Sequence, residues 1–353
     1  MPADKSRTPF SRPRGHSRNA PYTFDGPPVD IILRTADLVD FPVHRTVLEV
    51  SCSHFQHKFN TGSLGEEGDV AVKAQSMRTP PVVPMPEDSK TVDALLRYIY
   101  PVDPPVIRTV DDAFAVLRAA RKYGMTHAIK GTKTIVAELA DKEPLRVYAF
   151  AAARQWEEEM RVAARAALAF PIMEMYADEL EGMSGGAYFR LLDYHRRCAK
   201  AATNILSEDT WFQNIIADPT FNWEPAWTSC SNPKCEAVRE DGRKDTRPAW
   251  FHYYLLGIYQ ALAARPRPQT AADPQLFQAA IMRAAECGEC RAGAPTDLKQ
   301  FNTLLVQQID RAVSKVRAQR TNFHDITHYL PTTGWFGGEI GHGCRLAGKQ
   351  ERV

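Results

Sequence analysis

VDIILRTADLVDFPVHRTVL, residues 29–48, decides how this chain is read. Val29, Ile31 and Leu33 recur every second residue, so they share one face of a strand rich in β-branched side chains. Thr35-Ala36-Asp37 turns the chain, and Leu38 to Pro42 returns as a second strand. Val43 to Val50 then predicts a short helix and His54 to Asn60 another. Phe55 and Phe59 stand four residues apart and so meet on one helical face.

Downstream, residues 61–80 form an inserted polar loop, and Pro81 to Met85 supplies a third strand. Asp88 and Ser89 are N-cap candidates for a helix carrying Val92, Leu95, Leu96 and Ile99, which Tyr100-Pro101 ends. Pro101, Pro104 and Pro105 stiffen the next connection. Asp111 to Tyr123 is helical, with Phe114 and Leu117 on its apolar side and Gly124 as a natural stop. Met125 to Leu206 reads as helix throughout. Pro144 and Pro171 mark starts, and Gly182, Gly185 and Gly186 mark a break. Beyond Leu206, Trp211, Trp223, Trp227 and Trp250 crowd a loop-rich stretch. Helices are then expected over 249–264, 274–285 and 297–320. Upstream, residues 1–26 are basic and Pro-rich and read as a disordered tail. Residues 331–353 form a Gly-rich tail without periodicity.

The bulk numbers exclude several classes. With 353 residues there is room for two or three folding units. Lys plus Arg is 44 and Asp plus Glu is 42, a net charge of +2 that argues against nucleic acid as partner. No apolar run approaches the roughly 20 residues of a bilayer span, and the start lacks the apolar core of a signal peptide. The expectation is an intracellular protein, in nucleus or cytoplasm, with no membrane contact. Seven cysteines without an export signal suit free thiols or metal ligands better than disulfides.

The element order, with Val29-Asp30-Ile31, Phe41-Pro42-Val43-His44-Arg45-Thr46-Val47-Leu48, Leu95-Leu96-Arg97-Tyr98-Ile99-Tyr100 and Ala119-Ala120-Arg121-Lys122-Tyr123-Gly124-Met125, resembles the BTB/POZ family. Glu87-Asp88-Ser89-Lys90-Thr91, Tyr100-Pro101-Val102-Asp103-Pro104-Pro105 and Glu143-Pro144-Leu145-Arg146-Val147-Tyr148 look like a large group of BTB proteins in mushroom-forming fungi. The resemblance implies an α+β chain: a BTB/POZ fold over 27–140, a small sheet covered by helices, followed by an all-helical region. That region divides into a BACK-like part, 141–206, and a helical C-terminal module, 207–330. It implies a non-enzymatic protein–protein interaction module that takes no small-molecule substrate. Its partners would be a second copy of itself, a cullin scaffold or a transcriptional co-regulator. The favoured function is substrate adaptor of a cullin-type ubiquitin ligase. The alternative is a nuclear transcriptional regulator or self-assembling scaffold acting through the BTB surface. Asp30 and Arg45 fall at the family's charged-groove pair, either near a dimer interface or as an ion pair within the monomer, and His44 packs beside them. Leu64-Gly65-Glu66 matches the apolar-x-Glu pattern used for cullin contact. The basic start departs from the apolar arm of the familiar swapped dimer.

Cys230-Ser-Asn-Pro-Lys-Cys235 and Cys287-Gly-Glu-Cys290 place two close thiol pairs 51 residues apart. Paired thiolates suit a closed tetrahedral zinc site, which would staple the Trp-rich loop to the C-terminal helices. The other reading is four buried, reduced cysteines in a small helical core. Gly182-Met183-Ser184-Gly185-Gly186 fits G-x-S-x-G but follows an expected helix, Ile172 to Leu180, where that motif needs a strand. Gly341-His342-Gly343 has no strand before it, and the tryptophans lack the interleaved basic residues of a base-stacking surface.

Overall fold

A computed structural model describes residues 18–20, 29–61, 80–207, 210–217, 223–228, 230–238 and 244–316. Most of the expected N-terminal tail and of the loop 61–80, and all of the tail 331–353 with Gly341-His342-Gly343, lie outside these residues.

β2 (Ile31–Arg34) and β3 (Val39–Val43) pair antiparallel, with Ile31 opposite Val43 and Leu33 opposite Phe41. All four side chains are buried, so the alternation read in the sequence is the pleat that faces the core. Leu38 takes a φ of +61° at the end of the connecting turn, as longer hairpin loops require. Arg34 and Asp40, opposite one another at the strand ends, form a two-pronged ion pair of 2.6 and 2.8 Å. β4 (Val82–Pro84) adds parallel to β2. On the other edge β1 (Arg18–Asn19) runs parallel to β3, giving the order β1-β3-β2-β4. Arg18 and Asn19 belong to the stretch expected as disordered tail. Two backbone bonds, Arg18 N to Leu38 O and Ala20 N to Asp40 O, each 3.0 Å, hold them to an edge that composition alone does not reveal.

Five helices cover this sheet: α1 (Arg45–Ser51), α2 (Ser53–Thr61), α3 (Ser89–Arg97), α4 (Val110–Tyr123) and α5 (Thr126–Ala140). Asp88 caps α3 by accepting the Thr91 amide at 2.8 Å. Thr109 caps α4 through the Asp112 amide, and Gly124 closes α4 in the left-handed conformation at φ +68°. Phe55 stacks on both Phe59 and Tyr123, tying α2 to α4.

α4 is a shared wall. Val116, Ala119, Ala120 and Tyr123 pack toward the sheet, while Val110, Ala113, Phe114 and Leu117 belong to a second, larger core. That core gathers α6 (Pro144–Ala153), α7 (Glu157–Ala167), α8 (Gly185–Ser207), α9 (Thr210–Ile216), α10 (Ala249–Ala264), α11 (Pro274–Ala284) and α12 (Cys290–Lys315). α8 lies against α10 and α12.

Three expectations need correction. Ile172 to Leu180 is not a helix but two single 3-10 turns, Ile172–Glu174 and Asp178–Leu180. The C-terminal region is mostly rather than wholly helical: β5 (Glu236–Val238) and β6 (Lys244–Pro248) form an antiparallel pair in the stretch read as loop. α12 begins at Cys290, seven residues before the expected start, and runs through Pro295, which lies inside it at the cost of one helical hydrogen bond and a local ring contact. Among the described residues no helix is long and apolar enough to cross a membrane.

Candidate interaction surface and four-thiol centre

The strand-to-helix junction of the sheet domain carries the first candidate residues. Asp30 accepts the backbone amide of Arg45 at 2.7 Å. It thereby supplies a carboxylate to the start of α1, whose own N-cap, His44, makes no side-chain cap bond. The Arg45 guanidinium turns instead to Glu49, 2.8 Å away and one helical turn on, and lies 4.5 Å over the Phe59 ring. Asp30 and Arg45 thus meet through a main-chain donor, where the sequence suggested a pair of charges. The His44 amide donates to the Tyr100 hydroxyl at 2.9 Å, and its Nδ1 lies 3.1 Å from the same oxygen. Apolar side chains also face outward on this domain: Val50 on α1, 90% exposed, Val82 on β4 and Val106 before α4. Leu64 and Glu66 lie outside the described residues.

Two charged junctions fasten the sheet domain to the helices that follow. Arg121 of α4 reaches Glu159 of α7 at 2.6 Å, and its guanidinium lies 4.0 Å over the Trp156 ring. Glu159 is buried, with its second oxygen unpartnered. Arg146 of α6 gathers Glu179 at 2.6 Å, Glu143 at 2.8 Å and Asp111 of α4 at 2.9 Å. Those hydrogen bonds, led by Glu143, raise its pKa further above the usual arginine range.

At the far end of the helical region, Cys230, Cys235, Cys287 and Cys290 converge, all four sulfurs lying within 4.8 Å of one another. Cys230 Sγ is 3.7 Å from Cys287 Sγ, and Cys235 Sγ is 3.9 Å from Cys290 Sγ. None is in a disulfide. Cys230 is half-buried and the other three are buried. Burial pushes the Cys290 thiol up to about 12 and raises Cys235 further. Burial also opposes ionisation of Cys287. There the backbone N–H groups of Cys290 and Glu289, then the Cys235 and Cys230 thiols, prevail and hold it at about 6. The Asn232 side-chain amide donates to the same sulfur at 3.4 Å. Glu289 accepts the Ser231 amide at 2.8 Å and lies 3.2 Å from its hydroxyl, bridging the two cysteine turns.

Beside this cluster the tryptophans form core. Trp227 is fully buried and stacks on Phe251 at 4.3 Å, with Trp250, Phe212 and Phe301 around it. Asp297 of α12 holds their loop by accepting the Trp223 indole N–H at 2.9 Å and the Ala226 amide at 2.8 Å. Asp297, Glu289 and Asn232 were not singled out from the sequence. Single polar residues carry no periodic signal, and their roles emerge only once distant segments meet. Ser184 accepts the Ala187 amide at 3.2 Å and so begins α8; a 3-10 turn, not a strand, precedes it.

In the N-terminal segment a mixed sheet is covered by paired helices, and charged groups such as Asp30 and Arg121 serve a helix start and a junction. The BTB/POZ domain family matches residues 24–138, so this segment is a BTB/POZ domain, a protein–protein interaction module. No curated protein matches the chain.

Proposed function

We propose that the chain is a protein–protein adaptor that presents its BTB/POZ domain to a cullin-type scaffold and a substrate-reading surface on its helical half. The observation that carries this reading is the sharing of α4 between the two cores, reinforced by the Arg121–Glu159 and Arg146–Asp111 junctions. An adaptor has to hold its two partners at a defined separation, and a common buried helix does that where a flexible linker does not. Residues 141–206 act in this reading as the BACK-like spacer, and Leu64 and Glu66 as the cullin contact. The test is titration of purified full-length chain into a recombinant cullin N-terminal domain from a mushroom-forming fungus. Saturable binding that weakens at least tenfold in the Leu64→Ala/Glu66→Ala variant supports the adaptor. Absence of binding by the unmutated chain rejects it.

A second reading is self-assembly through the BTB/POZ domain, a protein–protein interaction module, and Val50, almost fully exposed on α1, is the position at which to probe it. A dimer in light scattering that becomes a monomer in Val50→Glu would support that reading; a monomer at every concentration would remove it.

A further inference from the structure

Four soft ligands at one point need a reason. Among the described residues, Cys230, Cys235, Cys287 and Cys290 are the one group of three or more His, Cys, Asp or Glu with ligand atoms this close together. Zinc bound by thiolates sits about 2.3 Å from each sulfur, and the edge of such a tetrahedron is about 3.8 Å. Two of the separations, 3.7 Å for Cys230 to Cys287 and 3.9 Å for Cys235 to Cys290, match that edge. A disulfide needs about 2.05 Å between its sulfurs, so neither pair is an oxidised bridge.

One of the four sulfurs, Cys287 Sγ, is supplied with hydrogen-bond donation. The Asn232 amide donates to Cys287 Sγ at 3.4 Å. The Trp250 indole N–H is buried without a hydrogen-bond partner. A buried donor left unmatched is costly beside a neutral thiol and useful beside a thiolate. Glu289 holds the Ser231 amide and hydroxyl, and the group of converging ligand atoms is all sulfur. Such a set rejects magnesium and calcium, which take oxygen, and selects zinc or iron.

We propose that Cys230, Cys235, Cys287 and Cys290 hold one zinc ion as four thiolates. The thiol protons leave to solvent on binding, and zinc's double charge offsets half of the four negative charges. With four protein ligands there is no open position for a water, so the site is structural rather than catalytic. It fastens the turn that follows Trp227 to the first residue of α12. It therefore closes the loop of chain that carries β5, β6, α10 and α11.

The test uses full-length chain, purified without a metal-affinity step and assayed for metal by elemental analysis. One zinc per chain is expected, retained on dialysis and released when the cysteines are modified. Replacing zinc by cobalt should give the intense visible bands of a tetrahedral thiolate site. Cys287→Ser should lose stoichiometric zinc, while Cys198→Ser, at a buried thiol elsewhere in α8, should keep it. Should Cys287→Ser fail to fold, alkylation of the unmutated chain decides. Chelation should expose these four cysteines together and leave Cys52 and Cys198 protected. Metal-free chain that keeps all four thiols buried and reduced would overturn the proposal. So would a native Cys230–Cys287 or Cys235–Cys290 disulfide, or stoichiometric iron in place of zinc.

Discussion

Removing the charge from Arg121 should hurt the protein more than removing it from Glu159. The two oppose each other at 2.6 Å, but their surroundings differ: the Glu159 side chain is 4% exposed and that of Arg121 is 29% exposed. Arg121→Met leaves a buried carboxylate with one oxygen already unpartnered, and its nearest remaining cation, Lys133, is 3.9 Å away. Stripping one member from a fully buried pair costs about 3–5 kcal/mol, and the partial access of water here points to about 3 kcal/mol. Glu159→Gln leaves the guanidinium partly in water and still over the Trp156 ring, with a carbonyl oxygen to receive it. The expected cost is about 1 kcal/mol. The double variant Arg121→Met/Glu159→Gln should then be more stable than Arg121→Met alone, because the uncompensated charge is gone. Urea unfolding of the full-length chain, followed by tryptophan fluorescence, gives the three differences. Equal losses in the single variants, or a double variant worse than Arg121→Met, would refute the reasoning.

Further outcomes follow from single residues. Gly124→Ala places a Cβ 1.9 Å from Ser53 Oγ at a φ of +68°. It should cost more than the about 1–2 kcal/mol of the left-handed conformation alone, and adding Ser53→Ala should recover part of the excess. An unchanged unfolding midpoint in Gly124→Ala would contradict this. Asp297→Ala strands the Trp223 indole N–H and the Ala226 amide, so a loss of about 2–4 kcal/mol is expected in the same unfolding assay, and none would refute the anchor. His195 is buried with Nε2 3.2 Å from the Phe170 carbonyl oxygen, and burial lowers its pKa although that carbonyl opposes the shift. The unfolded chain therefore binds a proton near about pH 6.5, where the folded chain does not. Stability is complete above that pH and falls as the pH drops below it. His195→Gln should flatten the decline, and an identical pH profile would show that His195 carries none of it.

Much of the sheet domain was legible because its signals are local. Ile31, Leu33, Phe41 and Val43 alternate at the strand period. Asp88 and Thr109 are caps recognisable from residue type and position, and Gly124 stops a helix for a steric reason. What escaped depends on contacts far apart in the chain. β1 exists only because β3 offers an edge, and β5 with β6 only because both strands meet α10. Ile172 to Leu180 carries apolar residues at helical spacing. The segment is nonetheless pinned by Arg146 to Glu179 and by single-turn bonds such as Met183 N to Leu180 O, which do not propagate a helix. For the thiols, spacing was enough to pair them within each turn. The meeting of the two turns across 51 residues rests on Asp297, Glu289 and the packing of Trp227, none of which has a sequence signature.

The two faces of α4 explain why the domain and the helices after it should be considered together. A helix at the surface of an isolated domain carries one apolar stripe. α4 carries two, with Phe114 and Leu117 turned away from the sheet as deeply buried as Val116 and Ala120 turned toward it. Exposing Phe114 and Leu117 alone would sacrifice roughly 3–6 kcal/mol of hydrophobic burial. It would also strand Arg121 and the first turn of α4, which now face Glu159 and Arg146. The BTB/POZ domain is therefore joined to the helical half through α4, and the placement of one against the other is set by packing rather than by a linker.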